Sequence, residues 1–468
     1  MKKCITMILT LALLLGLCAC GNDANPESTG ASVAATGLTV GYGRELIMPK
    51  EPVMLGGYGD SSRISTGFLD YLYCTCIAMS YEDETVLLFT QDLVRSYEPW
   101  VEKARVLITA ATGIPADRIM ICSTHTHSAP ETNSNNAATM AYLELYLEAM
   151  VTAAEGALAD RAPTTLHGAK TNLENMNFIR HYLLSDGSYA GSNFGDFNAG
   201  AIVDHAGDPD NEMQLVKFDR EGDKKDILLV NWQAHPDHSK SLGFTSLSAD
   251  FIGPLRTKLE KETGMEVAYF TGDTGDINPF SKMSDNHGLD WKKYGEKLAD
   301  YAMELLPSLT PITGTGIQAK QVMFEYAQNH SNEDKLSEAQ QVVALGNTAA
   351  GNALAKELGL GTYSEASNVL QRVKRPETDT LELNAFNIAG MSFITAPYEM
   401  FAASGMYIKE NSPFDITLIF GNANDWNSYC ATEAAYDYIS YESSAGFFAR
   451  GCAEACADQF VEMLKSIK

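Results

Sequence analysis

Apolar positions along this chain fall into two rhythms that alternate over most of its length. Period-two or continuous apolar runs predict strands at residues 71–80, 85–91, 119–122, 165–171, 214–218, 226–232, 267–270, 381–387, 392–396 and 416–420. Between them, apolar residues three and four apart predict helices at 98–112, 140–161, 249–263, 291–306 and 449–465, with another after Pro397. The first of these stops where Gly113 and Pro115 disfavour a further turn. Gly41-Tyr42-Gly43-Arg44 and Gly56-Gly57-Tyr58-Gly59 read as glycine-rich turns around a short extended piece. Residues 332–372 read as a charged helical insertion interrupted at Gly346, Gly351 and Gly359, a surface elaboration rather than a lid. Strands alternating with helices predict an α/β fold, mixed sheets with flanking helices, in a single large domain over residues 38–468.

The first 37 residues follow neither rhythm. Met1-Lys2-Lys3 is a short cationic start, and residues 5–17 form an apolar run of signal-peptide length, too short to span a bilayer. The run ends in Leu17-Cys18-Ala19-Cys20-Gly21, which looks like a lipobox. Cleavage before Cys20 would leave its thiol to be acylated and held at a membrane face. Residues 1–20 are thus expected to be a lipoprotein signal peptide. Residues 21–37, rich in Asn, Ser, Ala and Gly, are expected to be a flexible tether. The folded part is expected outside the cytoplasm, anchored to a membrane; ordinary cleavage after Ala19 would leave it free there.

Composition narrows the partners. Hydrophobic residues make up 45% of the chain and charged residues 20%, which is enough apolar material for a full core. Lys and Arg number 34 against 60 Asp and Glu, a net charge of −26. Such a surface repels phosphate, so nucleic acid is excluded as a partner, and so is a basic patch on anionic lipid. Of nine cysteines, Cys4, Cys18 and Cys20 belong to the leader. The other six (Cys74, Cys76, Cys122, Cys430, Cys452 and Cys456) contain no Cys-x-x-Cys pair, so buried, inert thiols are expected rather than a zinc cluster.

Candidate chemistry gathers just past the predicted strands. Ser123-Thr124-His125-Thr126-His127-Ser128-Ala129-Pro130 follows the strand at 119–122. In extended backbone, residues two apart share a side, so both imidazoles can face one pocket. Asn231-Trp232-Gln233-Ala234-His235-Pro236-Asp237-His238 repeats the arrangement on another strand, so four of the nine histidines lie in these two segments. Imidazole is the commonest protein ligand for zinc, and a metal cage needs donors that converge from distant sequence. Gly275-Asp276-Ile277-Asn278-Pro279 follows a third strand; its Asp and Asn suit either a ligand or a turn and helix cap.

These segments, with Gly41-Tyr42-Gly43-Arg44 before them, occur in an order that resembles the neutral/alkaline (non-lysosomal) ceramidase family. Thr395-Ala396-Pro397-Tyr398-Glu399 extends the likeness, as do Gly421-Asn422-Ala423-Asn424, Tyr429-Cys430-Ala431-Thr432 and Tyr441-Glu442. The resemblance covers residues 38–465 and does not reach that family's C-terminal immunoglobulin-like domain, part of its lipid-facing surface. It implies a catalytic domain that hydrolyses an N-acyl amide of a lipid such as ceramide at a single zinc. The implied ligands are His125, His235, Glu399 and Tyr429, with Tyr436 close to the last. His127, Arg180 and Tyr441 match positions that contact substrate or stabilise the oxyanion, and Asp276 and Asn278 fall in a substrate-contacting motif. At Asn278 this chain departs from the family, which has a serine proposed as nucleophile or substrate contact. An amide cannot attack a carbonyl, so water activated by the metal is the expected nucleophile. Two other readings remain open on the sequence: a non-catalytic surface lipoprotein that keeps the fold, and a zinc hydrolase of another amide or ester.

Overall fold

Successive side chains of a strand face opposite ways, and in this protein that alternation builds the layers. A computed structural model describes residues 37–58, 62–191, 199–238, 242–283, 289–438 and 440–468. The leader, Cys20, the tether to residue 36 and Gly59 lie outside these residues. A nine-stranded sheet contains β1 (Leu38–Leu46), β2 (Tyr73–Tyr81), β3 (Glu84–Gln91), β4 (Ile119–Ser123), β5 (Ala162–Asn172), β6 (Glu212–Arg220), β7 (Ile227–Trp232), β8 (Glu266–Thr271) and β9 (Thr310–Ile312). Its spatial order is β8-β7-β6-β5-β1-β2-β3-β4, with β9 also beside β5. The pairs β3–β4 and β7–β8 are parallel and the other pairs antiparallel. A four-stranded sheet follows, in the order β10 (Ile317–Ala327), β11 (Thr378–Ile388), β12 (Met391–Thr395) and β13 (Thr417–Phe420).

The two sheets share an apolar interface. Val40, Ile77, Leu88, Met120, Val216, Leu229 and Phe270 meet Phe386, Phe393, Leu418 and Phe420 there. The opposite face of the large sheet is covered by α1 (Glu98–Thr112), α2 (Ala137–Ala159), α3 (Ile252–Thr263) and α4 (Trp291–Leu305). The outer face of the small sheet carries α8 (Ala402–Asn411) and α9 (Cys452–Ser466), with Leu383, Ile394 and Ile419 against Ile408, Phe460 and Leu464. The result is four layers, helix–sheet–sheet–helix, as expected for faces that must each bury an apolar side. Buried Arg105 of α1 forks onto Glu382 of β11 at 2.7 and 2.8 Å and ties the layers together. Among the described residues no helix is long and apolar enough to cross a membrane. The six cysteines downstream of the leader are buried free thiols.

Two readings of the sequence need correction here. Gly41-Tyr42-Gly43-Arg44 is not a turn but the middle of β1. A Cβ on Gly41 would lie 2.0 Å from the Ala157 carbonyl oxygen, and one on Gly43 would lie 2.1 Å from that of Ala153. The glycines let α2 pack directly on the strand backbone, a need that resembles a turn signal in sequence. The strand β10 carries no clear signal, because it lies at a sheet edge, most of its residues are exposed or half-exposed, and its apolar and polar residues do not alternate along its full length. The helix after Pro397 begins only at Ala402, since Glu399–Met400 first pairs in parallel with Tyr429–Cys430. Within the insertion, α5 (Leu336–Ala344), α6 (Ala349–Glu357) and α7 (Tyr363–Arg372) enclose a small core of their own around Val342, Ala355 and Val369.

Candidate metal centre

The carboxyl ends of β4, β7, β8, β12 and β13 point to one region, and the loops leaving them supply its side chains. Side-chain and backbone bonds cross-link those ends. Asn231 Nδ2 donates to the Phe270 and Ile419 carbonyls, both at 2.9 Å. Thr271 Oγ1 donates to the Thr124 carbonyl at 2.8 Å, and Ser123 N–H to that of Asn422 at 3.1 Å. Asn422 and Asn424 adopt the left-handed backbone region this knot requires, at φ 52° and 66°, a conformation asparagine tolerates.

His125 and His127 do converge, though not by strand geometry. The strand ends at Ser123, and His125 has a left-handed φ of 70°. Its Nδ1 meets the Val94 carbonyl at 2.7 Å, which turns Nε2 inward. His235 is held in the same manner, with Nδ1 3.1 Å from the Thr274 carbonyl and N–H donating to Ile277 O at 3.0 Å. The Nε2 atoms of His125 and His127 lie 3.4 Å apart, and those of His127 and His235 lie 3.0 Å apart. Glu399 Oε2 is 3.3 Å from His125 Nε2, while its Oε1 accepts from Trp426 Nε1 at 2.8 Å. All four groups are at most 6% exposed. Tyr429 is the direct register partner of Glu399. Tyr436 is spent elsewhere, its hydroxyl donating to the Phe448 carbonyl at 2.5 Å.

His127 differs from its neighbours. Its Nδ1 is buried with no hydrogen-bond partner. The ring is fixed instead by packing, with Tyr58 edge-on at 5.0 Å and the backbone of Gly57 below. Arg63, itself buried, donates to the His127 and Gly56 carbonyls at 3.0 and 2.8 Å.

Arg180 lies on the other flank. Its Nη1 is 3.4 Å from His235 Nδ1, and its guanidinium sits 5.4 Å from the centroid of the Tyr429 ring. Tyr441 packs edge-on against Tyr429 at 5.9 Å. Asp276 and Asn278 are buried close by. The Asp276 carboxylate accepts the Ala402 N–H at 2.9 Å, at the start of α8, and its carbonyl accepts that of Arg180. Ile277–Asn278 pairs with Phe178–Ile179, and Asn278 Oδ1 has no protein partner. The Val94 and Thr274 carbonyls, Trp426, Tyr58 and Arg63 carry no local sequence signal, because each acts through packing or a hydrogen bond to a distant segment.

The electrostatics suit a cation. Burial, reinforced by the neighbouring imidazoles and by Arg180, holds His127 and His235 well below the usual histidine range, so both rings are neutral. Burial pushes Glu399 up, but His125 beside it and the Trp426 hydrogen bond overcome it and hold the acid at about 2. Three Nε2 atoms thus face one another beside an ionised carboxylate oxygen that has no hydrogen-bond partner. Buried polar atoms this close are costly unless something joins them. Neutral imidazole nitrogens and a carboxylate oxygen are the donor types of a catalytic zinc site. Histidines that bind metals characteristically donate their second N–H to a carbonyl or carboxylate. His125 and His235 have that support, and His127 lacks it.

No protein-family model matches the chain, and no curated protein matches it in sequence. Its likeness is to solved structures. One is neutral ceramidase from Pseudomonas aeruginosa, at a TM-score of 0.68 and 17% identity, covering 92% of this chain and 74% of that one. Another is a ceramidase complexed with C2, at a TM-score of 0.69 and 16% identity, covering 92% and 75%. Identity this low carries architecture rather than activity: the chain has the fold of neutral ceramidase.

Proposed function

We propose that this protein is a zinc-dependent amidohydrolase that cleaves the N-acyl amide bond of ceramide or a related N-acylated lipid. It would work outside the cytoplasm, anchored through Cys20. The observation that carries the reading is the buried convergence of His125, His127 and His235 Nε2 with the unpaired oxygen of Glu399. The supporting context is a ceramidase fold. His125, His235 and Glu399 would hold the metal, with Tyr429 beside Glu399 as the further donor. A bound zinc would act as a Lewis acid on the amide carbonyl and make water a nucleophile near neutral pH.

The chain's own residues do the rest. His127, neutral and with Nε2 facing the centre, would take a proton at Nε2 from the attacking water and pass it to the departing amine. Arg180 brings a cation, and Tyr441 a hydroxyl, to the side where negative charge gathers on the carbonyl oxygen. Asn278 offers hydrogen bonds to the substrate, not a nucleophile. The test is hydrolysis of an N-acyl-sphingosine and N-acyl-amino-acid panel before and after chelation. Amide cleavage that chelation abolishes and His125→Ala eliminates is expected. Activity untouched by either treatment, or none on any amide, would overturn the reading.

A further inference from the structure

Beside the centre, Arg180 ends a buried chain of side chains whose other members, Glu442, His181 and Tyr438, the proposed reaction does not use directly. Glu442 is 0% exposed, and Arg180 and His181 are 3% and 2% exposed. One carboxylate oxygen of Glu442, Oε1, accepts from Arg180 Nε at 2.7 Å and lies 2.6 Å from Arg180 Nη2 as an ion pair. The other, Oε2, is held by His181 Nε2 at 2.6 Å. His181 Nδ1 meets the Tyr438 hydroxyl at 2.9 Å, and the Tyr438 ring is stacked on Tyr189 at 4.6 Å.

The arrangement is unusual for an arginine–carboxylate pair. Guanidinium and carboxylate normally meet as two parallel bonds, one oxygen to each nitrogen. Here the second oxygen is already occupied by His181, so both nitrogens crowd onto the first. That leaves Nη1 turned toward His235 and the cation face over Tyr429. Arginine has a long, flexible stem, and its orientation must come from such supports.

We infer that His181 is a positioning residue for Arg180, acting through Glu442, with Tyr438 fixing the imidazole in turn. The inference rests on the proposed hydrolase reading for its kinetic consequences. With His181 removed, Glu442 Oε2 is released, the carboxylate rotates into a two-bond fork, and Nη1 leaves the centre.

The test combines kinetics on an N-acyl-sphingosine with crystallography of the zinc-loaded protein. His181→Leu should lower kcat about 10- to 100-fold, the usual cost of losing such a support, with zinc content unchanged and KM within about twofold. His181→Gln, which can still donate to Oε2, should recover most of the loss. If His181→Leu does not fold, Tyr438→Phe, which keeps the stacked ring, should show a smaller loss of the same kind. In an Arg180→Met background, His181→Leu should cost less than about twofold more, because the two residues act as one unit. The crystal structure of His181→Leu should show the guanidinium moved away from His235. Wild-type kcat in His181→Leu, an equal cost in the Arg180→Met background, or an unmoved guanidinium would overturn the inference. A wild-type protein inert toward every amide would instead overturn the functional reading, and the guanidinium position would then decide the inference alone.

Discussion

Gly57→Ala separates a metal ligand from an acid–base group at His127. Gly57 has a φ of +106°, and a Cβ there would lie 2.6 Å from His127 Cγ and 2.7 Å from Nδ1. Carbon atoms in ordinary contact stand about 3.5 Å apart, so the imidazole must retreat by roughly 0.9 Å. The backbone adds about 1–2 kcal/mol of strain, since an L side chain is disfavoured at positive φ. A displacement near 1 Å in a reacting group costs about 100-fold in rate, or about 2.7 kcal/mol of transition-state stabilisation. The expected outcome is a fall in kcat of about that size on an N-acyl-sphingosine, with zinc affinity, measured by chelator competition, within about threefold of wild type. His125 and His235 keep their carbonyl supports in this variant, which is why the metal should stay. Loss of zinc in step with activity would show that His127 is a ligand. Unchanged kcat would show that the position of its ring does not matter.

Two further predictions concern what holds the site in place. Gly43→Ala puts a Cβ 2.1 Å from the Ala153 carbonyl and 2.7 Å from the Ala157 nitrogen, backbone atoms that cannot step aside. A loss of about 3 kcal/mol is expected by denaturant unfolding, and near-wild-type stability would refute the close packing of α2 on β1. Asp70 receives hydrogen bonds from Ser248 and Ala249, and Ser248 in turn accepts from Thr126 between the two site histidines. Burial raises the Asp70 carboxyl to about 6 from its ordinary 3.8. The folded protein therefore binds this proton more tightly than the unfolded chain. The contribution is complete below about pH 4 and is lost as pH rises through 6, up to about 3 kcal/mol. Asp70→Asn should flatten the stability profile between pH 4 and 6; an unaltered slope there would contradict this.

Much of this structure was legible where apolar periodicity was strong. The buried strands β3, β4, β7 and β8 and the amphipathic α1 and α4 carry their own signals, and β4, β7 and β8 end just before polar segments that form the site. The errors have physical causes. Gly41 and Gly43 look like a turn because the sequence does not show the helix that presses on them. β10 hides because an edge strand need not alternate apolar and polar residues cleanly. His125 and His127 were expected to converge by extended backbone, whereas His125 is turned by a left-handed residue and the Val94 carbonyl. Glu399 and Tyr429 are implied by resemblance, and the parallel pairing sets them side by side although they stand far apart in sequence. His181 and Trp426 are invisible to local pattern, since each matters only through a carboxylate that arrives from elsewhere in the chain.

His125, His235 and Glu399 are expected to hold a zinc ion in the folded protein. Elemental analysis of purified wild type, His127→Ala and His235→Ala tests it most directly. One zinc per chain is expected in the first two and little in His235→Ala. A wild-type protein without zinc, or His235→Ala that retains it, would refute these ligands.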